Sequence, residues 1–378
     1  MKILHLADLH IGKKVNDFCM LNEQKYVLAQ SIELIKKENI EAVLIAGDVF
    51  DKPIPTISAL EVFNDFLKKL NELKIKVLII SGNHDNMDRL SYLSDILEQS
   101  EVYISKSYTG NIQKVTLNDK INVYLMPYLY PALVKKYYPD VEIKNYNDAI
   151  KTIIDNIELD NHKFNILLAH QFVIGSDNPI ESQSEQKSVG GIDEINYKVF
   201  DKFDYTALGH LHCPQKCGTE KIRYAGSILK YSLSEINQNK KFVVLNIEDE
   251  IKIEYFEIKF LHQMKEYRGY INDFLNEKFY NNIDTDDYIH FILLDEFVLN
   301  AKKKLSLIYP NIMLLEFDNS FTRNLNSDFD NKIAKEKTLY EHFLDFYQIQ
   351  INDVLDNEKD ILIKDIINTK LKEGICNH

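Results

Sequence analysis

Five short apolar runs in this chain each stop at a polar group able to bind a metal, and that repetition limits the folds open to it. The runs are residues 2–7 before Asp8-Leu9-His10, 42–46 before Gly47-Asp48, and 77–81 before Gly82-Asn83-His84-Asp85. Two more follow, 164–169 before His170 and 205–208 before Gly209-His210-Leu211-His212. A buried strand in an α/β sheet presents such groups at its carboxyl end, where the chain leaves the sheet. Five such ends in one sheet would converge on one edge. The pattern therefore predicts a single polar site on an α/β core.

Between the runs, helical periodicity predicts helices over residues 22–38, 56–73, 90–99 and 145–159. Ser58 and Glu61 have capping-box spacing, and Asn145 suits an N-cap. The connections are long enough for crossovers, so the first strands are expected to be parallel. After His212 the pattern changes to strands, expected antiparallel, over 222–228, 242–247 and 251–258, the last two joined by Glu248-Asp249-Glu250. A sheet packed on a sheet, flanked by helices, fits this region. The polar segment 173–195 reads as a long loop, a length usually tied to function.

From residue 262 the expectation is helix to 280, strand 288–294, helix 297–308 and strand 312–317, a small α/β domain. Residues 319–331 form a linker rich in Asn and Asp, followed by short amphipathic helices over 335–347 and 358–372. Two such helices bury little surface alone and are expected to dock onto something. The expected division is 1–260, 261–320 and 332–378.

At 378 residues, 45% hydrophobic and 27% charged, the chain can bury a sizeable core in two or three domains. No run of about twenty apolar residues marks a membrane span, and because the N-terminus enters a strand at once no export leader is expected. Four scattered cysteines (Cys19, Cys213, Cys217, Cys376) do not make a disulfide framework, so a reducing cytoplasm is expected. The formal net charge of −13 argues against broad nucleic-acid binding. Bound divalent cations or a partner chain would offset that charge locally.

The candidate ligands are Asp8, His10, Asp48, Asn83, His170, His210 and His212. Two carboxylates, one amide oxygen and four imidazoles suffice for two divalent cations when one carboxylate bridges, and Asp48 is the natural bridge. A mixed O/N set without thiolate suits manganese, iron or zinc rather than calcium, and manganese is the expectation. Such a pair leaves net positive charge that attracts a phosphodiester and steadies its transition state. His84 is placed to protonate the leaving oxygen, and Asp85 to orient the His84 ring.

Each piece is weak by itself, because turns favour Gly, Asn and Asp for backbone reasons. A lone core histidine is more often satisfied than ligating. The shared order and strand-end placement carry the argument. Cys213 and Cys217 lack zinc-knuckle spacing and read as ordinary thiols. Lys13 and Lys14 read as solvated by default. His5, His162, His262, His290, His342 and His378 have no neighbouring ligands in sequence. Tyr267, Tyr270, Phe274 and Phe279 follow helical spacing and read as core.

Taken together, Asp8-Leu9-His10, Gly47-Asp48-Val49-Phe50-Asp51, Gly82-Asn83-His84-Asp85, His170 and Gly209-His210-Leu211-His212 resemble the calcineurin-like metallophosphoesterases. That resemblance implies a two-metal phosphoesterase core built as a four-layer double β-sandwich with flanking helices. A narrower resemblance, to the SbcD family of bacterial nuclease subunits, rests on further segments. They are His170-Gln171-Phe172-Val173 with the loop to Val189-Gly190-Gly191, Pro214-Gln215, and Tyr224-Ala225-Gly226-Ser227-Ile228-Leu229-Lys230-Tyr231-Ser232 with Glu235.

The narrower resemblance implies a manganese-dependent DNA nuclease. Its activities would be single-strand endonuclease and, with an SbcC-type ATPase, double-strand 3′-5′ exonuclease on DNA ends and hairpins in repair and recombination. It also implies a capping domain, a C-terminal helical segment gripping the coiled-coil base of that ATPase, and a homodimer within a heterotetramer. The family ligands fall on the seven residues named above and its catalytic histidine on His84. No Gly-rich loop with Lys-Ser/Thr is present, so ATP would be hydrolysed elsewhere. The alternatives are another phosphoesterase on the same core, acting on a nucleotide or phosphoprotein, and an inactive scaffold subunit.

Overall fold

Alternate residues of the first strands face two different cores, and this alternation sets the order of layers. In β1 (Lys2–Leu6), Leu4 and Leu6 face one core while Ile3 faces another. In β2 (Ala42–Ala46), Val43 and Ile45 face the first core, and Ala42, Leu44 and Ala46 the second. Both faces are buried, which is why these runs read as continuously apolar. The fold is that of a computed structural model, which describes residues 1–175, 179–185 and 193–319 and scattered positions between Tyr340 and Lys364.

The first core lies between the sheet and two helices, α1 (Leu21–Glu38) and α2 (Ile57–Glu72). The cap of α2 is Thr56, whose side chain accepts from the Ala59 N–H at 3.2 Å, rather than the expected Ser58 box. Such a cap contributes about 1 kcal/mol. The sheet continues with β3 (Lys76–Ile80) and β4 (Val102–Ile104). β1, β2, β3 and β4 pair in parallel as expected, and β11 (Lys241–Ile247) and β12 (Ile251–Glu257) extend the other edge antiparallel.

A second sheet packs on the first. It contains β5 (Gln113–Leu117), β6 (Ile121–Met126), β7 (Phe164–His170), β8 (Tyr205–Gly209), β9 (Gln215–Cys217) and β10 (Thr219–Tyr224), in the order β9-β10-β8-β7-β6-β5. Ile166, Leu168 and Ala207 face the first sheet, while Leu167, Ala169 and Leu208 face α3 (Tyr146–Asp155). Asn145 caps α3 as expected, accepting from the Asp148 N–H at 2.9 Å. The architecture is thus α/β with four layers, helix–sheet–sheet–helix.

This corrects the expectation that one sheet carries all five polar ends: β1, β2 and β3 belong to the first sheet, β7 and β8 to the second. A continuous apolar run looks the same in either sheet, so periodicity could not separate them. The expected helix over 90–99 is broken into Met87–Leu90 and Ser94–Leu97, with Leu93 between them at φ 65°.

The expected helix from 262 to 280 begins instead as β13 (Met264–Gly269), and only its second half is helical, in two four-residue pieces, Ile271–Phe274 and Glu277–Tyr280. Tyr267 and Phe274 pack against Phe291 on β14 (Tyr288–Leu293) and Phe279 packs against both, so strand packing overrides the helical spacing at Tyr267 while Phe274 and Phe279 keep it. Tyr270 is exposed. The expected helix over 297–308 spans only Ala301–Leu305. With β15 (Ile312–Phe317) the strands form a sheet in the order β13-β14-β15.

The chain divides into two compact units, Met1–Ile292 with Asn300–Glu316, and Leu293–Leu299 with Phe317–His378. Within the first, Met264, Tyr288 and Met313 join the core under α1 and α2. The expected helices over 335–347 and 358–372 lie, but for scattered positions, outside the described residues, as do Cys376 and the Val189-Gly190-Gly191 motif. No helix among the described residues is long and apolar enough to cross a membrane.

Candidate metal centre

Parallel strands end on the same side of a sheet, so β1, β2 and β3 release their polar residues at one edge, where β7 and β8 of the second sheet release theirs. The loops after β1 and β2 are zipped together. The N–H groups of Asp8 and His10 donate to the carbonyls of Gly47 and Asp48 at 3.1 and 2.9 Å. Asp8, His10, Asp48 and His210 have positive φ (51, 42, 51 and 105°). Left-handed backbone at non-glycine residues costs roughly 1–2 kcal/mol each and clusters at functional sites.

The two sheets approach closely here. A Cβ on Gly209 would sit 1.9 Å from the Ala46 carbonyl oxygen, and one on Gly82 would sit 2.1 Å from Asp48 Oδ1. Only glycine fits at either place.

Asp48 lies at the centre. Its Oδ2 is 3.4 Å from His170 Nε2, 3.6 Å from His10 Nε2 and 4.0 Å from His84 Nε2. Its Oδ1 accepts the His84 N–H at 2.9 Å. Asn83 Oδ1 is 3.0 Å from His170 Nε2 and 3.2 Å from His210 Nδ1. His10 Nε2 and His212 Nε2 face each other at 3.1 Å. Both Asp8 carboxylate oxygens accept the His210 N–H, at 3.0 and 3.1 Å. All seven expected ligands are therefore gathered on one edge, and His84 beside them.

Three groupings could each hold a cation: Asp8, His10 and His212; His10, Asp48 and His84; and Asp8, Asp48 and His170. The donors fit divalent cations. The nitrogens turned into the cluster face one another or the central carboxylate: His10 Nε2 lies 3.1 Å from His212 Nε2, and Asp48 Oδ2 is within 3.6 Å of the Nε2 atoms of His10 and His170. His170 Nδ1 lies 2.7 Å from the Ala46 carbonyl, which accepts its proton and turns Nε2 toward Asp48, where that nitrogen would bind a cation once its own proton has left.

Electrostatics agree for three of the four rings. Burial holds His10 and His212 below the ordinary histidine range, and pushes His210 down to about 3, so these rings are neutral near pH 7, as metal binding requires. Burial also opposes charge on His170, but Asp48 outweighs it and raises that ring to about 9. Burial would raise Asp48 too, yet His170 and the neighbouring rings hold it below the usual carboxylate range. Asp8 has less help, and burial pushes it well above that range. A cation beside it would reverse this.

One expected role is corrected. Asp85 does not orient the His84 ring; its carboxylate accepts backbone N–H groups of Val49, Phe50 and Gly82 at 3.1, 3.0 and 3.0 Å. Burial, then Asp48, raises it to about 6. The His84 ring is oriented by the main chain of Asp51, whose carbonyl lies 3.0 Å from Nδ1. The Asp51 carboxylate is paired with Lys13 at 2.9 Å. Lys13 is thus not simply solvated.

Several supporting residues were not found from sequence. Gln24 Nε2 donates to the His10 carbonyl at 2.8 Å, and the Tyr231 ring lies edge-on to His10 and His212. Ser184, Glu185, Glu235 and Lys240 surround His212. Glu235 and the loop that carries Ser184 and Glu185 stood out only as segments of the narrower resemblance, without metal-site spacing, and Lys240 had no signal. Cys217 behaves as an ordinary buried thiol, donating to the Val173 carbonyl at 3.3 Å and pushed up to about 12 by burial.

A buried cluster of carboxylates and imidazoles at the joint edge of two packed sheets is fit to hold divalent cations. Residues 1–214 match the calcineurin-like phosphoesterase family, and the chain belongs to it. The fold is similar to that of a dimetal phosphatase from Danio rerio, at 9% identity and a TM-score of 0.40, over 68% of this chain and 96% of that one. It is also similar to the protein TT1561 of Thermus thermophilus, at 12% identity and a TM-score of 0.38, over 68% and 99% of the two chains.

Proposed function

We propose that this protein is a DNA nuclease subunit of the SbcD type, hydrolysing phosphodiester bonds with two divalent cations, manganese in the first instance. One observation carries the two-cation reading: Asp48 Oδ2 has Nε2 atoms of His170, His10 and His84 within 4.0 Å, a carboxylate between two groups of donors. Asp8, His10 and His212 would hold one cation; Asn83, His170 and His210 would hold the other; Asp48 would bridge.

Bound as a pair, such cations supply a nucleophile near neutral pH and grip phosphate oxygens. The chain's own residues do the rest. His84 keeps its Nδ1–H on the Asp51 carbonyl and turns Nε2 toward the site, where its proton can pass to the departing oxygen. Its ring is partly exposed, unlike the buried rings of His10 and His170, so it stands at the mouth where a substrate oxygen would arrive.

The DNA substrate is supported by the segments after His212 that resemble SbcD and by the C-terminal segment expected to grip an SbcC-type ATPase. The proposed assembly is a homodimer within a heterotetramer, in the cytoplasm. The test is cleavage of single-stranded DNA by the purified chain with manganese and no ATP. Deleting residues 332–378 should leave that cleavage intact and abolish co-purification with the ATPase subunit. Better turnover of a cyclic nucleotide than of DNA would overturn the nuclease reading, and no phosphodiester cleavage at all would favour an inactive scaffold.

A further inference from the structure

His212 is held at three points. Its N–H donates to Glu185 Oε1 at 2.6 Å, its carbonyl accepts from Lys240 Nζ at 2.7 Å, and its ring Nδ1 lies 2.7 Å from Ser184 Oγ. Ser184 Oγ is also 2.6 Å from Glu235 Oε1, and Glu235 Oε2 accepts from Lys240 Nζ at 2.6 Å. Glu235 and Lys240 are both wholly buried. Ser227 Oγ and Gln238 Oε1 also lie 2.9 and 2.8 Å from Lys240 Nζ, so its three N–H groups are shared among four acceptors. A buried pair this well satisfied is an ion pair, and removing either partner would strand the other's charge.

Proton counting then fixes the ring. A serine hydroxyl has one proton, and an ionised carboxylate can only accept. At 2.6 Å from Glu235, the Ser184 proton must point at the carboxylate. Ser184 Oγ can then only accept from His212, so the imidazole proton sits on Nδ1. Ser182 Oγ, 2.8 Å away, can fill the remaining lone pair as a donor. The His212 lone pair is left on Nε2, the atom facing His10 Nε2 at 3.1 Å.

We propose that Ser184, Glu235 and Lys240 form a positioning relay that sets the His212 tautomer and so gives the cation position of Asp8, His10 and His212 its affinity. The relay serves one position only. The other, with His170, is oriented independently by the Ala46 carbonyl. This inference rests on the two-cation reading above, and its test separates the two.

The full-length chain, stripped of metal, is titrated calorimetrically with manganese, with stoichiometry checked by elemental analysis. Ser184→Ala should weaken one of two sites roughly 10–100-fold and leave the other unchanged. Ser184→Thr, which keeps the hydroxyl, should restore it. In the metal-free wild type, nitrogen-15 imidazole spectra should show His212 protonated at Nδ1, and Ser184→Ala should mix the tautomers. Unchanged affinities at both sites, equal weakening of both, or an Nε2-protonated His212 in the wild type would overturn the relay. A wild type that binds no second cation would instead overturn the two-cation reading, while the metal-free spectra would still judge the relay.

Discussion

The two sheets supply unlike halves of the site. The first brings both carboxylates, Asp8 and Asp48, with His10, Asn83 and His84, and braces them locally: the loops after β1 and β2 bond to each other, and Asp85 ties Gly82 to Val49 and Phe50. The second brings three histidines, oriented by groups distant in sequence. His170 leans on Ala46, the His210 main chain on Asp8, and His212 on Ser184. Charge is thus supplied by one half and ring orientation depends on how the halves meet. A change in the first half should alter chemistry; a change at the seam should alter geometry and metal binding together.

The largest effect is expected for His84→Ala. A general acid contributes about 10²–10⁴-fold, so cleavage should fall by that much while elemental analysis still finds both metals. Metal loss would move His84 into the ligand set with His10 and Asp48, which the grouping of those three allows. Next comes Gly209→Ala at the seam. The new Cβ would meet the Ala46 oxygen at 1.9 Å and His170 Nδ1 at 2.8 Å, so backbone must move. Overpacking of this kind costs about 1–3 kcal/mol or more, read as a lower unfolding midpoint, and the Ala46–His170 bond should be lost with it. Gly269→Ala, whose nearest neighbour is the tip of the Phe274 ring at 3.2 Å, should change stability little. Equal losses in the two variants would remove the distinction between seam and periphery.

The same division decides what was legible in sequence. Asp8-Leu9-His10, Gly47-Asp48 and Gly82-Asn83-His84 are short and local, so a strand-end rule found them. His170 and His212 were found by placement after apolar runs, but Ser184, Glu235 and Lys240 were not, because their contacts span 28, 23 and 28 residues and have no period. Asp85 was misassigned because adjacency to His84 suggested ring contact, whereas the turn directs its carboxylate to backbone donors. The core strands were legible from their apolar runs, yet their distribution over two sheets was not. Beyond residue 262 aromatic spacing imitated a helix, and the strand β13 emerged only from packing on Phe291.

The last expected effect lies deepest in the seam, at His5, and shows only as the solution is acidified. Its ring is buried between the sheets, with Nδ1 3.2 Å from the Tyr205 hydroxyl and Nε2 without a partner. Burial pushes it down from 6.5 to about 3. The unfolded chain therefore binds a proton that the folded chain refuses. Stability is fully present above about pH 6.5 and is lost as pH falls toward 3, at about 1.4 kcal/mol per pH unit for one proton. Denaturant unfolding around pH 5 should show a pH slope that His5→Leu reduces by about that amount, whatever the absolute stability of the variant. An unchanged slope would mean that His5 accepts its proton in the folded state, and that the seam between the halves admits water or charge there.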